Sequence, residues 1–210
     1  ADLRGRRKAR SQPVARLFAP VPLMPDKTYL ALGDSMSIDD YTGVKGGGAV
    51  AQFFKTLGAE WKLDDRTYDG CQMEGVPRNG RGDLITLTIG GNDLLWHKEK
   101  YLREGLAEFE AEHSELLAAL RNANPDATLI VGDIYAPAAP LDALESAALE
   151  QANAIIHANC QQVDARVARI YDAFQGHEAT HLCLGIEPTL AGARAIAELF
   201  REALLLETAD

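Results

Sequence analysis

Short apolar segments rich in β-branched and aromatic residues alternate along the chain with longer stretches whose apolar residues recur at helical spacing. This alternation predicts an α/β fold, a parallel sheet with helices on its faces. Two further observations indicate a single domain: the chain has 210 residues with 47% hydrophobic content, enough for one sizeable core, and it shows neither an internal repeat nor a low-complexity tract.

In chain order, residues 1–26 differ from the rest. Arg4, Arg6, Arg7, Lys8, Arg10 and Arg16 precede Pro20, Pro22 and Pro25, which predicts a basic, extended arm. Such an arm either lies against its own acidic domain or reaches an acidic partner. The domain is expected over 27–206, with a short tail at 207–210. The predicted strands are Thr28–Leu32, Arg66–Tyr68, Leu84–Ile89, Thr128–Ile134 and Val167–Tyr171. Between them, Leu102, Leu106, Phe109, Leu116 and Leu120 form one helical stripe ended by Asn124 and Pro125, and Leu149, Ala152, Ile156 and Val163 form another. The last helix is expected to start at Pro188 and to bury Ile196, Leu199 and Phe200.

A formal charge of −10 opposes nucleic acid or an anionic membrane as the main partner. Cys71, Cys160 and Cys183 are odd in number and widely spaced, so they read as buried small hydrophobes and not as a disulfide framework or a zinc cluster. No window of about 18 consecutive apolar residues exists, and the N-terminus lacks a signal-like apolar core. The expectation is a soluble protein, cytoplasmic or exported after loss of a signal.

Parallel sheets present ligands at the carboxyl ends of their strands. After the first predicted strand stands Gly33-Asp34-Ser35-Met36-Ser37, after the second Asp69-Gly70-Cys71, and after the third Gly90-Gly91-Asn92-Asp93. Each is ordinary turn chemistry by itself. Together they supply a strand-end hydroxyl with a glycine amide and an Asn side-chain amide beside it, the equipment of acyl transfer.

In these blocks the chain resembles the SGNH/GDSL hydrolases: YLALGDS at Tyr29–Ser35, the glycine block at Asp69-Gly70, and IGGNDL at Ile89–Leu94 occur in the family's order and spacing. The resemblance runs from about Thr28 to Phe200 and implies a three-layer, flavodoxin-like α/β/α sandwich around a five-stranded parallel sheet. It implies Ser35 as nucleophile, with the Ser35 and Gly70 backbone N–H groups and the Asn92 side chain as oxyanion donors. Asp34 and Asp93 are expected to organise their loops, and Asp39 and Asp40 to lie in a solvated one. The implied substrate is a small-molecule ester, an acylated carbohydrate or a lipid, and no cofactor is required.

The last block departs from the family. An Asp, two residues, a His and usually a Pro are expected before the final helix, but the chain reads Leu184-Gly185-Ile186-Glu187-Pro188. Leu184 stands in the Asp position and Glu187 in the His position. A serine needs a base to take its proton, and a carboxylate with an ordinary pKa near 4.3 is a weak one unless burial raises it. The two changes agree with each other, because an Asp beside Glu187 would add a like charge with no imidazolium to stabilise.

Three readings remain at this point: a Ser35–Glu187 esterase, a pocket that binds without catalysis, and a zinc site. The last rests on His177-Glu178-Ala179-Thr180-His181, which fits HExxH but follows Gly176 and lacks a long apolar helix around it. His181 is read as a surface histidine or a replacement base, and His97, His113 and His157 as structural or solvent-facing. Trp61 and Trp96 are expected in the core or a pocket wall, and Gly46-Gly47-Gly48 as a flexible pocket rim.

Overall fold

The computed structural model describes residues 26–206. The arm, except Asp26, and the tail at 207–210 lie outside the described residues. Five parallel strands form one sheet in the order β2-β1-β3-β4-β5: β1 Lys27–Gly33, β2 Trp61–Thr67, β3 Leu84–Thr88, β4 Thr128–Gly132 and β5 Arg166–Ala168. The helices are α1 Ala49–Phe54, α2 Gly91–Trp96, α3 Lys98–Glu104, α4 Ala107–Ala123, α5 Ala143–Gln162, α6 Ile170–Phe174, α7 Glu178–His181 and α8 Leu190–Leu205. A hairpin of β6 Leu182–Cys183 and β7 Glu187–Pro188 precedes α8.

The three layers follow from the two-residue period of a strand, which sends successive side chains to opposite faces. Leu30 and Leu32 of β1 join Ile85, Leu87, Leu129 and Val131 under α4 and α5, while Tyr29 and Ala31 join Leu84 and Ile130 under α1 and α8. Burial on both faces explains why the central strands read as continuous apolar runs. The strand order reverses at β1, which has β2 on one side and β3 on the other, so the carboxyl end of β1 is the topological switch point where such folds place their ligands.

Several boundaries differ from those expected. β2 begins at Trp61, five residues early, because it is an edge strand whose largely polar residues carry no apolar signature. The expected fifth strand stops at Ala168, and Ile170–Phe174 forms α6. There the Tyr171 N–H donates to Asp133 Oδ1 at 2.8 Å, which draws the chain off the sheet. The stripe from Leu102 to Leu120 is divided between α3 and α4 by Gly105, whose φ is 83°. The final helix starts at Leu190 and not at Pro188: Pro188 pairs with Leu182 in the hairpin, and the Thr189 hydroxyl caps the helix by accepting from Gly192 N–H. Ile196 and Phe200 are fully buried, while Leu199 is half-buried.

Candidate active site

The first turn of the site is set by close backbone contact. Gly33 has a φ of 124°, and a Cβ there would lie 1.9 Å from the Thr88 carbonyl oxygen, so only glycine lets β1 run so near the end of β3. The next residue seals the approach, Asp34 N–H donating to Thr88 O at 2.9 Å. Asp34 is buried, and one of its carboxylate oxygens accepts from Met36 N–H at 3.1 Å, which shapes the turn that presents Ser35. Burial pushes the Asp34 carboxyl up to about 8, against the pull of the Met36 N–H and the Thr88 hydroxyl.

The turns after β2 and β3 flank this one and are stitched to each other. Tyr68 N–H donates to Gly33 O at 3.0 Å, bringing the end of β2 against β1. Gly70 follows with a φ of 73°. Asn92 Nδ2 donates one hydrogen to the Cys71 carbonyl at 3.0 Å, which leaves its second N–H free. Asp93 accepts from Met73 N–H at 3.1 Å. Asp34 and Asp93 thus organise their loops as expected, and Ser35 and Asn92 line one pocket.

Glu187 reaches the same corner from the hairpin, where Cys183 pairs with Glu187. Its tip is Leu184 and Gly185, with φ values of 49° and 90°. The hairpin is tied down by Tyr135 OH donating to Ile186 O at 2.5 Å and by Ala138 N–H donating to Gly185 O at 2.8 Å. Glu187 is only 8% exposed, and its Oε2 has no hydrogen-bond partner. Burial raises its pKa, the nearby Ser35 hydroxyl acts against that, and the negative charge of Asp69 adds to it. Asp69 in turn accepts from Tyr41 OH at 2.9 Å. Leu184, by contrast, is 80% exposed.

Other expectations need correction. Asp39 is not simply solvated: its carboxylate accepts from the Gly46 and Gly48 N–H groups, the latter at 2.8 Å, while Asp40 is exposed. The glycine loop so held does not line the pocket beside Ser35, and a Cβ on Gly48 would lie 2.4 Å from the Ile38 backbone. Trp96, the last residue of α2, is 74% exposed, and Trp61 is half-buried at the edge strand. Cys71 and Cys160 are buried, but Cys183 is intermediate. His177 and His181 stack at 5.2 Å, yet among the described residues no group of three His, Cys, Asp or Glu side chains is placed to hold a metal ion. His181 Nδ1 is engaged with the Thr180 hydroxyl at 2.9 Å, and its ring packs edge-on against Phe174, so it is half-buried and turned to its own segment. His97 is exposed, His157 pairs with buried Asp133 at 2.9 Å, and His113 is wholly buried, which drives its pKa down to about 4.

Sequence reasoning missed the cavity that opens beside Ser35. It has a volume of about 150 Å³ and runs between α2–α3 on one side and the segment after β4 with α5 on the other. Leu94, Tyr101, Ile134, Leu141 and Leu149 give it an apolar lining. The sequence held a signal, since Leu102 and Leu149 belong to the stripes above, but a stripe does not distinguish a wall facing a core from one facing a cavity.

A three-layer α/β fold with a serine and an asparagine lining one pocket at the switch point of its sheet, and the turn after Gly70 bonded to that asparagine, is the arrangement of the SGNH class of α/β proteins. The model of the GDSL-like lipase/acylhydrolase family matches residues 31–195, and the chain belongs to that family, whose members are hydrolases acting on ester bonds. Among solved structures, a lipase from a goat rumen metagenome is similar with a TM-score of 0.72 and 22% identity, over 84% of this chain and 97% of that one. A variant of an acetyl xylan esterase from Geobacillus stearothermophilus is similar with a TM-score of 0.68 and 17% identity, over 90% of this chain and 100% of that one. An α/β hydrolase from the metagenome of Lake Arreo follows with a TM-score of 0.64 and 20% identity, over 86% and 95%. No match is found among curated proteins. Among the described residues no helix is long and apolar enough to cross a membrane.

Proposed function

We propose that the protein hydrolyses carboxylic esters through Ser35, with Glu187 carrying the proton that a histidine carries elsewhere in the family. The observation that supports this most is the position of Glu187: a carboxylate 8% exposed, close enough to feel the Ser35 hydroxyl, with one oxygen unpartnered. Burial that raises its pKa makes it a stronger base than an exposed glutamate.

In this reading Ser35 Oγ attacks the ester carbonyl as its proton passes to Glu187. The second N–H of Asn92 Nδ2, with the Gly70 and Ser35 N–H groups, receives the developing oxyanion. Collapse breaks the bond to the alcohol oxygen, which takes the proton from Glu187 and leaves an acyl-Ser35 ester. Water, deprotonated by Glu187, then releases the carboxylic acid and returns the proton to Ser35. Lipid esters and acylated carbohydrates, named for the lipase and the acetyl xylan esterase above, are the substrates to try first.

Labelling with a fluorophosphonate from about pH 4 to about pH 9, read by mass spectrometry of the Ser35 peptide, tests the pair. The expected rate rises with pH as the Glu187 carboxyl ionises, with a midpoint above the ordinary glutamate range, and falls roughly 100- to 10,000-fold in Glu187→Gln. Absence of label at every pH leaves a protein that binds in this pocket without catalysis.

A further inference from the structure

His113 of α4 is fully buried against α5, takes part in none of the steps above, and is held so that its hydrogen bonds fix where its proton sits. Asn159 of α5 donates from Nδ2 to Glu110 O and to His113 Nδ1, each at 3.2 Å, and so uses both of its amide hydrogens. Nδ1 is therefore the acceptor of a neutral ring. The ring's own hydrogen is on Nε2, which is buried without a partner.

We propose that His113 is an acid-operated release between α4 and α5: when the imidazole becomes an imidazolium the two helices part, and the wall of the cavity beside Ser35 loosens with them. The inference is independent of the Ser35–Glu187 reading. The added proton can go only to Nδ1, where it would meet the Asn159 amide donor against donor. Turning the amide to present its oxygen would give up the bond to Glu110 O. Either arrangement leaves a charge in apolar surroundings, among Leu116, Leu117 and Leu120 of α4 and Ile156 of α5. Parting the helices lets water reach both nitrogens.

No fixed charge offsets that cost. Glu110 and Glu112 beside it on α4 are exposed, as are Glu150 of α5 and Glu74 of the 3-10 turn Met73–Gly75 that packs on α4. Burial keeps Cys160 of α5 and Tyr101 of α3 protonated, pushing each up to about 12, and His157 of α5 is engaged by Asp133. Burial alone pushes His113 down from 6.5 to about 4. The closed form is thus penalised progressively as pH falls from about 6.5, where an exposed ring binds its proton, to about 4, where the buried one does. The effect reaches the site by contact. A Cβ on Gly90 would lie 3.1 Å from the ring of Phe109, one turn before His113 and parallel to it, and Gly90 caps the helix that carries Asn92. Tyr101 packs edge-on against Phe109 and, with Ala148 and Leu149 of α5, lines the cavity.

The test is amide hydrogen exchange of the native protein and of His113→Leu at matched pH from about 7.5 to about 4, so that the intrinsic pH dependence of exchange cancels, with the imidazole followed by NMR. In the native protein, protection of amides in α2, α4 and α5 should fall by roughly 100-fold relative to the variant across that range. Amides of α1 and α8, on the opposite face of the sheet, should keep theirs. The His113 Cε1 proton should titrate with a midpoint below about 5. Asn159→Asp, which sets a carboxylate against the ring, should raise that midpoint above about 6.5 and abolish the acid-induced loss. A loss of protection that is equal on both faces of the sheet, or as large in His113→Leu as in the native protein, overturns the proposal. So does a native imidazole midpoint at or above about 6.5, a measurement that stands even if neither variant folds.

Discussion

The corner that holds Ser35, Gly70 and Asn92 is made from the ends of three hydrogen-bonded neighbouring strands, whereas Glu187 stands on a hairpin of two two-residue strands tied to the domain by scattered hydrogen bonds. The first region is shaped largely by backbone: Gly33 must be glycine to pass Thr88, and the amides proposed as oxyanion donors follow from where the strands end. The part proposed for the second region falls to one side chain whose identity the backbone leaves open. A hairpin that places any side chain at position 187 beside Ser35 can exchange His for Glu without moving the sheet. Under the proposed reaction, change in the acid–base group would therefore be structurally inexpensive, while change in the corner proposed to hold the oxyanion would not.

The sharpest way to break this comparison is to restore the family's residues. Leu184→Asp with Glu187→His should raise kcat/KM by roughly 100-fold or more, with the pH midpoint moving toward about 6.5. Leu184 has a φ of 49°, a conformation that Asp adopts more readily than Leu, so the substitution suits the local backbone. No gain on any ester would mean that the hairpin no longer delivers an imidazole to Ser35, and that the two regions have diverged together.

Asn92→Ala attacks the other region. Loss of one oxyanion donor should lower kcat by about 100- to 1,000-fold with little change in KM. Because Asn92 also holds the Cys71 carbonyl, thermal unfolding must be measured beside it. A fall in stability with kcat unchanged would assign Asn92 to the scaffold alone.

The same division governs how much could be read from the chain. The sheet, the three strand-end turns and the loop roles of Asp34 and Asp93 were legible because apolar runs and turn residues are local signals. Glu187 was legible as a departure from a pattern, but its burial and its free oxygen were not, since they come from packing across the chain. Asp39 was misread for a related reason: its partners Gly46 and Gly48 are turn residues that carry no mark of what they donate to. The cavity was hidden because its lining residues sit on α2, α3, α5 and the segment after β4, and nothing in their separate periodicities says that they leave a gap.

The smallest effect concerns Tyr135, which belongs to neither region but joins them. Its ring is buried and stacks on Phe174 at 4.6 Å, and its hydroxyl donates to Ile186 O one residue before Glu187. Tyr135→Phe keeps the ring and removes the tether, leaving the Ile186 carbonyl without that donor at a cost of about 1 kcal/mol. If the tether only stabilises the fold, the unfolding temperature falls and kcat does not. If it positions Glu187, kcat should fall by up to about fivefold at a pH where the native carboxyl is ionised, and the pH midpoint of Ser35 labelling should shift as the carboxylate gains access to water. A midpoint that stays fixed while stability drops would place Tyr135 outside the catalytic arrangement.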